Sequence, residues 1–346
     1  MDIISKIDKN QLVGRGGACF PVAAKWKAVK EEEADSKYVI CNATEGEPGV
    51  AKDGYILKHY SDRVMDGIKM AMDALGADKG YIYTNKSYYK RFNKELRRYF
   101  DGYSLNFYIK SKESGYIGGE ETSLLNAIEG DRIEPRSKPP FPPSSGLWGK
   151  PTLVNNVETF YNVSLVGSGD YNNTRFYTIG GDCKKKGVYE LADDMTVEKI
   201  LKETGNYPLF DFFVQVGGGA CGEIWNSRQL RKPVSGAGSI TVYKLDKYKP
   251  RSLLLKWLDF FLNQSCGKCT PCREGVYRAC SIMRAPKPDW KLFFELATTM
   301  EQTSFCGLGQ TASVPLRTYM KNILADKRIS NKGLSSKEEK EIHQCF

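Results

Sequence analysis

The chain has 346 residues, of which 41% are hydrophobic and 27% charged. These are ordinary values for a soluble globular protein, so a core can form without staples, and the length allows about two or three domains. No apolar run approaches the roughly 18 residues of a membrane-spanning helix, and the N-terminus M-D-I-I-S-K-I-D-K-N lacks the apolar centre of a signal peptide, so the protein is expected to stay inside the cell without direct membrane insertion. The net charge of +10 permits nucleic-acid or acidic partners. The basic residues are spread, however. One local cluster holds Lys90, Arg91, Lys94, Arg97 and Arg98, and Lys327, Arg328, Lys332, Lys337 and Lys340 are interleaved with Glu338, Glu339 and Glu341 in a charged tail. Solvated helix faces account for both more simply than nucleic acid does.

In chain order, Lys37 to Ala43 reads as a strand and Asp62 to Leu75 as a helix with Val64, Ile68, Ala71, Met72 and Leu75 on one face. Gly80 to Thr84 reads as a strand, Ser87 to Phe100 as a helix with a basic outer face, Leu105 to Ser111 as a strand and Glu120 to Ile128 as a helix. This alternation predicts a mostly parallel sheet with covering helices, the α/β class. Between Pro135 and Pro151 six prolines break the pattern, and composition leaves a linker, a polyproline ligand and an ordered site loop open. Residues 174 to 246 read as a small α+β domain, with strands at Arg175 to Gly180, Gly187 to Leu191, Phe212 to Val216 and Ser239 to Lys244 and one helix at Thr196 to Glu203. From about Leu253 the chain reads as four short helices, the first with Leu254, Trp257, Leu258 and Phe261 on one face, the others near 273–285, 289–301 and 311–325.

Ten cysteines inside a cell are not expected to form a disulfide framework. Cys19, Cys41, Cys183, Cys221, Cys280 and Cys345 share no pattern and read as free thiols. In S-C-G-K-C-T-P-C-R-E-G, by contrast, Cys266, Cys269 and Cys272 sit at spacing three, and Cys306 follows in F-C-G-L-G. Structural zinc sites are usually built from two C-x-x-C pairs. A three-plus-one split suits the four thiolates of a 4Fe–4S cluster better than zinc. The small residues Gly267, Gly307 and Gly309 let backbone N–H groups turn toward the sulfurs.

Several loops have the composition of ligand sites. G-R-G-G-A-C-F-P, from Gly14 to Pro21, is neither a P-loop nor G-x-G-x-x-G, and a plain surface turn explains it as well as a phosphate or ring site. Gly217, Gly219 and Gly222 do match G-x-G-x-x-G after a strand, but E-I-W-N-S-R-Q is no clear helix, so a tight turn is the better reading. N-A-T-E-G-E-P-G, from Asn42 to Gly49, and Y-I-G-G-E-E-T, from Tyr116 to Thr122, both follow strands. Ligands of parallel sheets bind at strand C-termini. A site shared by the two loops is therefore favoured over helix capping by Glu120 and Glu121 alone.

These segments, together with K-P-P-F-P and N-N-V-E-T, occur in one order that closely resembles the 51 kDa-type, flavin-carrying NADH-binding subunit of respiratory complex I. The series also resembles the diaphorase subunits of NAD-linked hydrogenases and formate dehydrogenases. The resemblance covers about residues 12 to 325. It implies a Rossmann-like FMN domain at 1–172, a β-grasp, ubiquitin-like domain at 173–250, a four-helix bundle carrying 4Fe–4S at 251–330, and a tail at 331–346. It implies that Gly14, Gly16, Lys25, Asn42, Glu45, Tyr116, Gly119, Glu120, Asn155, Asn156 and Thr159 hold FMN. Phe20 and Phe141 would stack on the adenine of NADH, Glu47 and Glu121 would contact its nicotinamide or ribose parts, and Cys266, Cys269, Cys272 and Cys306 would ligate the cluster. Departures from the family pattern are Thr44 in place of an acid, Cys19 in place of the last glycine of its loop, Ala28 where a third adenine-pocket aromatic falls, and Gln264 in place of Glu before S-C-G.

The implied activity is that of an NADH:acceptor oxidoreductase. The cofactor performs the hydride step, so no side chain acts as a nucleophile. His59 and His343 are the only histidines, which leaves little for histidine-based acid–base chemistry. The implied partners are a thioredoxin-like 2Fe–2S subunit and a larger Fe–S subunit, and the implied location is cytoplasmic, or peripheral on the inner face of a membrane through those partners. The alternatives are a diaphorase of a soluble hydrogenase or formate dehydrogenase, a structural subunit with a cluster but no flavin turnover, and a zinc-containing nucleic-acid module.

Overall fold

A computed structural model describes residues 1–326, 328–329 and 336–344. Cys345, Lys327 and Lys332 lie outside the described residues. Two compact units form: unit 1 comprises Met1–Gly46 and Ala51–Phe176, unit 2 Glu47–Val50 and Tyr177–Phe346.

Unit 1 opens with α1 (Ile3–Lys9), capped by Asp2, and α2 (Val22–Glu31). There follow β1 (Tyr38–Ala43), α3 (Lys52–His59), α4 (Ser61–Leu75), β2 (Lys79–Asn85), α5 (Lys86–Arg97), β3 (Leu105–Lys110), α6 (Glu121–Glu129), β4 (Thr152–Asn156) and α7 (Val157–Ser168). The sheet order is β3-β2-β1-β4 and every pairing is parallel. The expected parallel α/β sheet is therefore present. Central β1 is almost continuously buried, as a strand covered on both faces must be. One face packs Ile40, Tyr83 and Val154 of the sheet against Leu124, Leu125 and Leu147.

Helices α4 and α7 pack most closely at Gly67, where an added Cβ would lie 1.9 Å from the Phe160 carbonyl oxygen. Only glycine tolerates that approach.

The proline-rich segment is an ordered part of unit 1 rather than a free linker. Arg136 donates to Asn126 Oδ1 (2.6 Å) and the Gly146 carbonyl (2.8 Å), and Thr152 N donates to the Pro142 carbonyl (2.9 Å).

Unit 2 contains β6 (Gly187–Ala192), α8 (Val197–Glu203), β7 (Phe212–Val216), β8 (Glu223–Asn226) and β9 (Ser239–Lys244). Strand β5 (Thr174–Gly181) crosses from unit 1 into it. The sheet order is β6-β5-β9-β7-β8, with β5 parallel to β9 and β7 antiparallel to both β8 and β9. Val197, Ile200 and Leu201 of α8 enter the core formed by Tyr177, Val214, Val216, Ile240 and Val242.

The helical part holds α9 (Pro250–Gln264), α10 (Thr270–Arg284), α11 (Trp290–Thr303), α12 (Gly307–Thr311) and α13 (Val314–Tyr319), then a π turn at Met320–Leu324 and α14 (Ser336–His343). The single helix expected near 311–325 is thus broken. Pro315 has no N–H to donate and sits in the first turn of α13, where a helix starts rather than continues. The segment E-I-W-N, read as no clear helix, is edge strand β8.

Replacing Gly67 with Ala should lower stability by about 3 kcal/mol, since the added methyl meets backbone rather than a movable side chain. A denaturation midpoint equal to that of the native chain would contradict the close α4–α7 approach.

Candidate active site

In a parallel sheet the strand C-termini and the following helix N-termini converge on one edge, and that edge gathers the unit 1 residues. The β1–β4 register places Cys41 beside Asn155 and Asn42 beside Asn156. The glycine loop lies on the start of α7: Arg15 N donates to Thr159 Oγ1 (2.9 Å), and a Cβ on Gly16 would lie 3.4 Å from Asn156 Cβ. Gly14 N donates to the Phe20 carbonyl (2.8 Å), which closes the loop. Gly17 has φ +113°, and a Cβ added there would meet nothing within 4 Å, so the loop backbone is open on that side.

The two acidic loops also meet. Asn42 Nδ2 donates to the Gly119 carbonyl (2.9 Å), and Thr44 Oγ1 donates to Asn42 Oδ1 (2.8 Å). Gly46 abuts the Tyr116 ring. Lys25 from α2 reaches Glu121 Oε1 (2.5 Å) and the Val154 carbonyl (3.2 Å). Asn155, oriented to satisfy both of its amide atoms, accepts from Trp26 Nε1 (2.9 Å) and donates to the Val154 carbonyl (3.0 Å).

Helix capping and the meeting of the two loops occur together. Glu120 is the N-cap of α6, accepting from Thr122 N and Ser123 N (both 2.9 Å), and Lys138 lies 3.0 Å from its other oxygen. Burial would raise its pKa, but Thr122, Lys138 and Ser123 outweigh burial and hold it below the ordinary glutamate value. Glu45, at φ 39°, is turned to the start of α3, where it accepts from Asp53 N (2.7 Å) and Gly54 N (3.1 Å) and from the Tyr88 hydroxyl. Burial and the Asp53 carboxylate push Glu45 above its ordinary value, against the pull of Tyr88 and Lys52. Burial and then Glu45 raise Tyr88 in turn.

Beneath these loops lies a group of charges that sequence reading missed. Lys52 is 2% exposed, and its Nζ contacts Asp53 Oδ1 (2.8 Å), Asn156 Oδ1 (2.9 Å) and the fully buried Glu158 Oε2 (3.0 Å). Asn156 Nδ2 donates to Asp53 Oδ2 (2.8 Å). Burial alone would depress the lysine pKa, but Asp53 and Glu158 overcome that and raise it. Glu158 is part of N-N-V-E-T, but nothing in the local pattern links it to Lys52.

Phe20 and Phe141, also in unit 1, are 54% and 55% exposed, unusual for rings of that size. Glu47 belongs to unit 2, where its Oε1 accepts from Ala220 N (2.8 Å) and Cys221 N (3.3 Å).

The four spaced cysteines come together within unit 2. Cys269 is the N-cap residue of α10 and Cys306 that of α12. Burial, and then the nearness of Cys269, Cys306 and Cys266, push the Cys272 thiol up to about 11, while Ser265 Oγ, 3.4 Å from its sulfur, pulls the other way. Phe305 N donates to Cys269 Sγ (3.5 Å). Gly309 is required at this point, since a Cβ there would lie 2.9 Å from that of Cys272. None of the nine described cysteines is in a disulfide.

The donor sets fit the cofactors that the spacing and loops suggest. An open glycine loop at the start of α7 suits a phosphate-bearing polar ligand, and four cysteines gathered about Cys272, with a backbone amide and a hydroxyl beside their sulfurs, suit an iron–sulfur cluster. Residues 7–165 match the family model of the Nuo51 FMN-binding domain, and residues 252–326, which hold all four cysteines, match that of the NADH-ubiquinone oxidoreductase-F iron-sulfur binding region. The chain is 32% identical to the NADH-quinone oxidoreductase F subunit of Aquifex aeolicus, over 91% of this chain and 83% of that protein.

The chain belongs to the family of NADH-quinone oxidoreductase F subunits.

The second match decides between zinc and iron–sulfur in favour of iron–sulfur, and the first supplies FMN. The chain is also 32% identical to the alpha subunit of the NAD-reducing hydrogenase HoxS of Cupriavidus necator, over 96% of this chain. A crystal structure of an NAD+-reducing [NiFe]-hydrogenase in its H2-reduced state superposes with a TM-score of 0.86 at 29% identity over 92% of this chain. The chain spans 61% of the length of each of these two hydrogenase chains. Members of this family are thus components of larger assemblies. Among the described residues no helix is long and apolar enough to cross a membrane.

Lys52→Met should destabilise this member of the family by about 3–5 kcal/mol, because it leaves Asp53 and Glu158 buried without their cation. Since the folded Lys52 pKa lies above the unfolded one, its contribution is full across neutral pH and is lost only as the pH rises through the folded value. Unfolding of the variant and the native chain at the same midpoint near pH 7 would refute this account of the cluster.

Proposed function

We propose that this chain is the electron-input subunit of an NADH:acceptor oxidoreductase. It takes a hydride from NADH at FMN and hands electrons on singly through a 4Fe–4S cluster. The observation that carries the reading is the coexistence, in one chain of this family, of the strand-end residues with their glycine loop and the four cysteines gathered about Cys272. Bound FMN supplies the exchange between one hydride and two single electrons, which side chains cannot perform.

The chain's own residues bind, orient and shield. Gly14, Gly16, Asn156 and Thr159 form the loop-and-helix end assigned to FMN, with Lys25 as the nearby cation. Asn42, Tyr116, Gly119 and Asn155, at or beside the same strand edge, are likewise assigned to FMN. Glu45 and Glu120 act by fixing the two acidic loops, since their carboxylates are taken up by helix starts. Phe20 and Phe141 are assigned to the adenine of NADH, which would cover their exposed faces. Glu121, held by Lys25, and Glu47 are assigned to the nicotinamide or ribose parts. Cys266, Cys269, Cys272 and Cys306 are assigned to the cluster.

The finer architecture follows the same reading. The β5–β9 sheet with α8 across it has the makings of a β-grasp domain, residues 173–250. Helices α9 to α13 serve as the four-helix bundle of 251–330, with its last helix interrupted, ahead of the 331–346 tail. Residues 1–172 form the FMN domain. The acceptor is assigned to a thioredoxin-like 2Fe–2S subunit, with a larger Fe–S subunit beyond it. Through these partners the chain would be cytoplasmic or peripheral to a membrane, and no nucleic acid is involved. A second reading, the diaphorase of a soluble hydrogenase, uses the same site and draws support from the likeness to the hydrogenase chains.

Replacement of Cys306 by Ala tests the division of labour. The variant should keep its FMN and its bleaching by NADH, lose the electron paramagnetic resonance signal of the reduced cluster, and fall by at least about tenfold in reduction of a one-electron protein acceptor. A native-like cluster signal would remove Cys306 from the ligand set. Flavin that NADH fails to bleach, even in the native chain, would favour a structural cluster-bearing subunit.

A further inference from the structure

The Gly217–Gly222 loop matches a dinucleotide-binding fingerprint, yet it opens no helix. Strand β8 follows it at Glu223. The loop is instead packed around the short segment Glu47–Val50 of the same unit. Gly219 N donates to the Pro48 carbonyl (2.8 Å), and Ala220 N and Cys221 N converge on Glu47 Oε1 at 2.8 and 3.3 Å. The glycines are required by what they touch. A Cβ on Gly218 would lie 2.2 Å from Glu47 Oε1, and one on Gly219 would lie 2.4 Å from the Pro48 carbonyl oxygen. The loop therefore offers converging amides to an anion, as glycine-rich loops do, and the anion it holds is a side chain of its own protein.

A second contact carries the loop onward. Cys221 Sγ lies 3.0 Å from Thr311 Oγ1, and Thr311 Oγ1 donates to the Gly307 carbonyl (2.7 Å). A hydroxyl has one proton, so with that proton on Gly307 the thiol of Cys221 is the donor toward threonine. Helix α12 begins at Gly307, next to the cluster ligand Cys306. An unbroken series of contacts thus runs from the Glu47 carboxylate through Cys221 and Thr311 to the turn that presents Cys306.

We propose that the Gly217–Gly222 loop is a positioning element for dinucleotide binding, fixing the Glu47 carboxylate and anchored in turn, through Cys221 and Thr311, to the helix that starts beside Cys306. The inference rests on the assignment of Glu47 to the nicotinamide or ribose part of NADH. Cys221 and Thr311 touch no reacting atom and act through Glu47. Cys221, one of the six cysteines without a shared spacing, receives a role by this route.

The test compares Glu47→Gln, Gly218→Ala, Thr311→Val and Thr311→Ser in the full chain loaded with FMN and cluster. The readouts are KM for NADH and kcat with an artificial one-electron acceptor, together with flavin content and the cluster's paramagnetic signal. Gly218→Ala should displace the carboxylate and raise KM about tenfold, the scale of a lost hydrogen bond to a charged group. Thr311→Val, on the helix beside Cys306, should raise KM roughly threefold, the scale of a lost neutral hydrogen bond, while Thr311→Ser keeps the native value. Flavin content and the cluster signal should stay native throughout. Should Gly218→Ala fail to fold, the valine–serine pair at 311 decides alone. A native KM in Thr311→Val, with Glu47→Gln impaired, would overturn the positioning role and leave the assignment of Glu47 intact. A native KM in Glu47→Gln would overturn that assignment, and the positioning role with it.

Discussion

A lysine ammonium buried among two carboxylates and an amide fixes the strand-end edge of unit 1. Lys52 sits in the first turn of α3, Asp53 beside it, Asn156 at the end of β4 and Glu158 in the first turn of α7. One cation therefore joins α3 to the consecutive elements β4 and α7, with Asn156 lying 104 residues beyond Lys52. A buried charge is tolerated only when its partners are complete, so the geometry of these elements is held tightly. The consequence reaches the site directly. Asn156 is tied both to this group and, by register, to Asn42, and the glycine loop rests on Asn156 and Thr159. Glu45 and Glu120 brace the acidic loops from the other side by capping helix starts. Buried and helix-capping charges thereby set where the residues assigned to the ligand stand.

The same economy appears around the four thiols. Burial and mutual nearness make the thiolate form of Cys272 costly, which pushes its pKa up; the cluster assigned to these four cysteines would supply the positive charge that makes four thiolates acceptable there. Two of the cysteines stand at helix starts, where the helix dipole favours negative charge. Gly309 supplies the space for Cys272. Removing water and side-chain bulk around the sulfurs while keeping amide donors is the protein's contribution to such a centre.

The alternation of strands and helices in the first half was legible because its helices are amphipathic and its strands short and apolar. The elements that escaped notice share a different character. Helix α7 is buried on nearly all sides, so its sequence lacks a polar stripe to reveal the helical period. Helix α3 contains Gly54 and has no side-chain N-cap at its first residue; the carboxylate that caps it, Glu45, stands eight residues before Asp53, outside any capping spacing. Strand β8 has four residues. Cysteine spacing singled out Cys266, Cys269 and Cys272 because it is a local pattern, with Cys306 added as a separate fourth, and the six motifs in order were enough to suggest the family. The Lys52–Glu158 pair was beyond reach, since its partners are joined only by the sheet's crossover connections. The glycine motif at 217–222 opens no helix, as the residues after it suggested, but the side chain it holds, Glu47, could not be read from spacing.

Central to this account is that one chain joins a two-electron donor to a one-electron carrier. Anaerobic titration of the loaded full chain with NADH, followed by flavin absorbance and by the cluster's paramagnetic signal together, measures this most directly. A flavin and a 4Fe–4S cluster together hold three reducing equivalents, so complete reduction should consume about 1.5 equivalents of NADH per chain. Saturation near one equivalent with the cluster still oxidised would show that electrons stop at the flavin, and the account would fail.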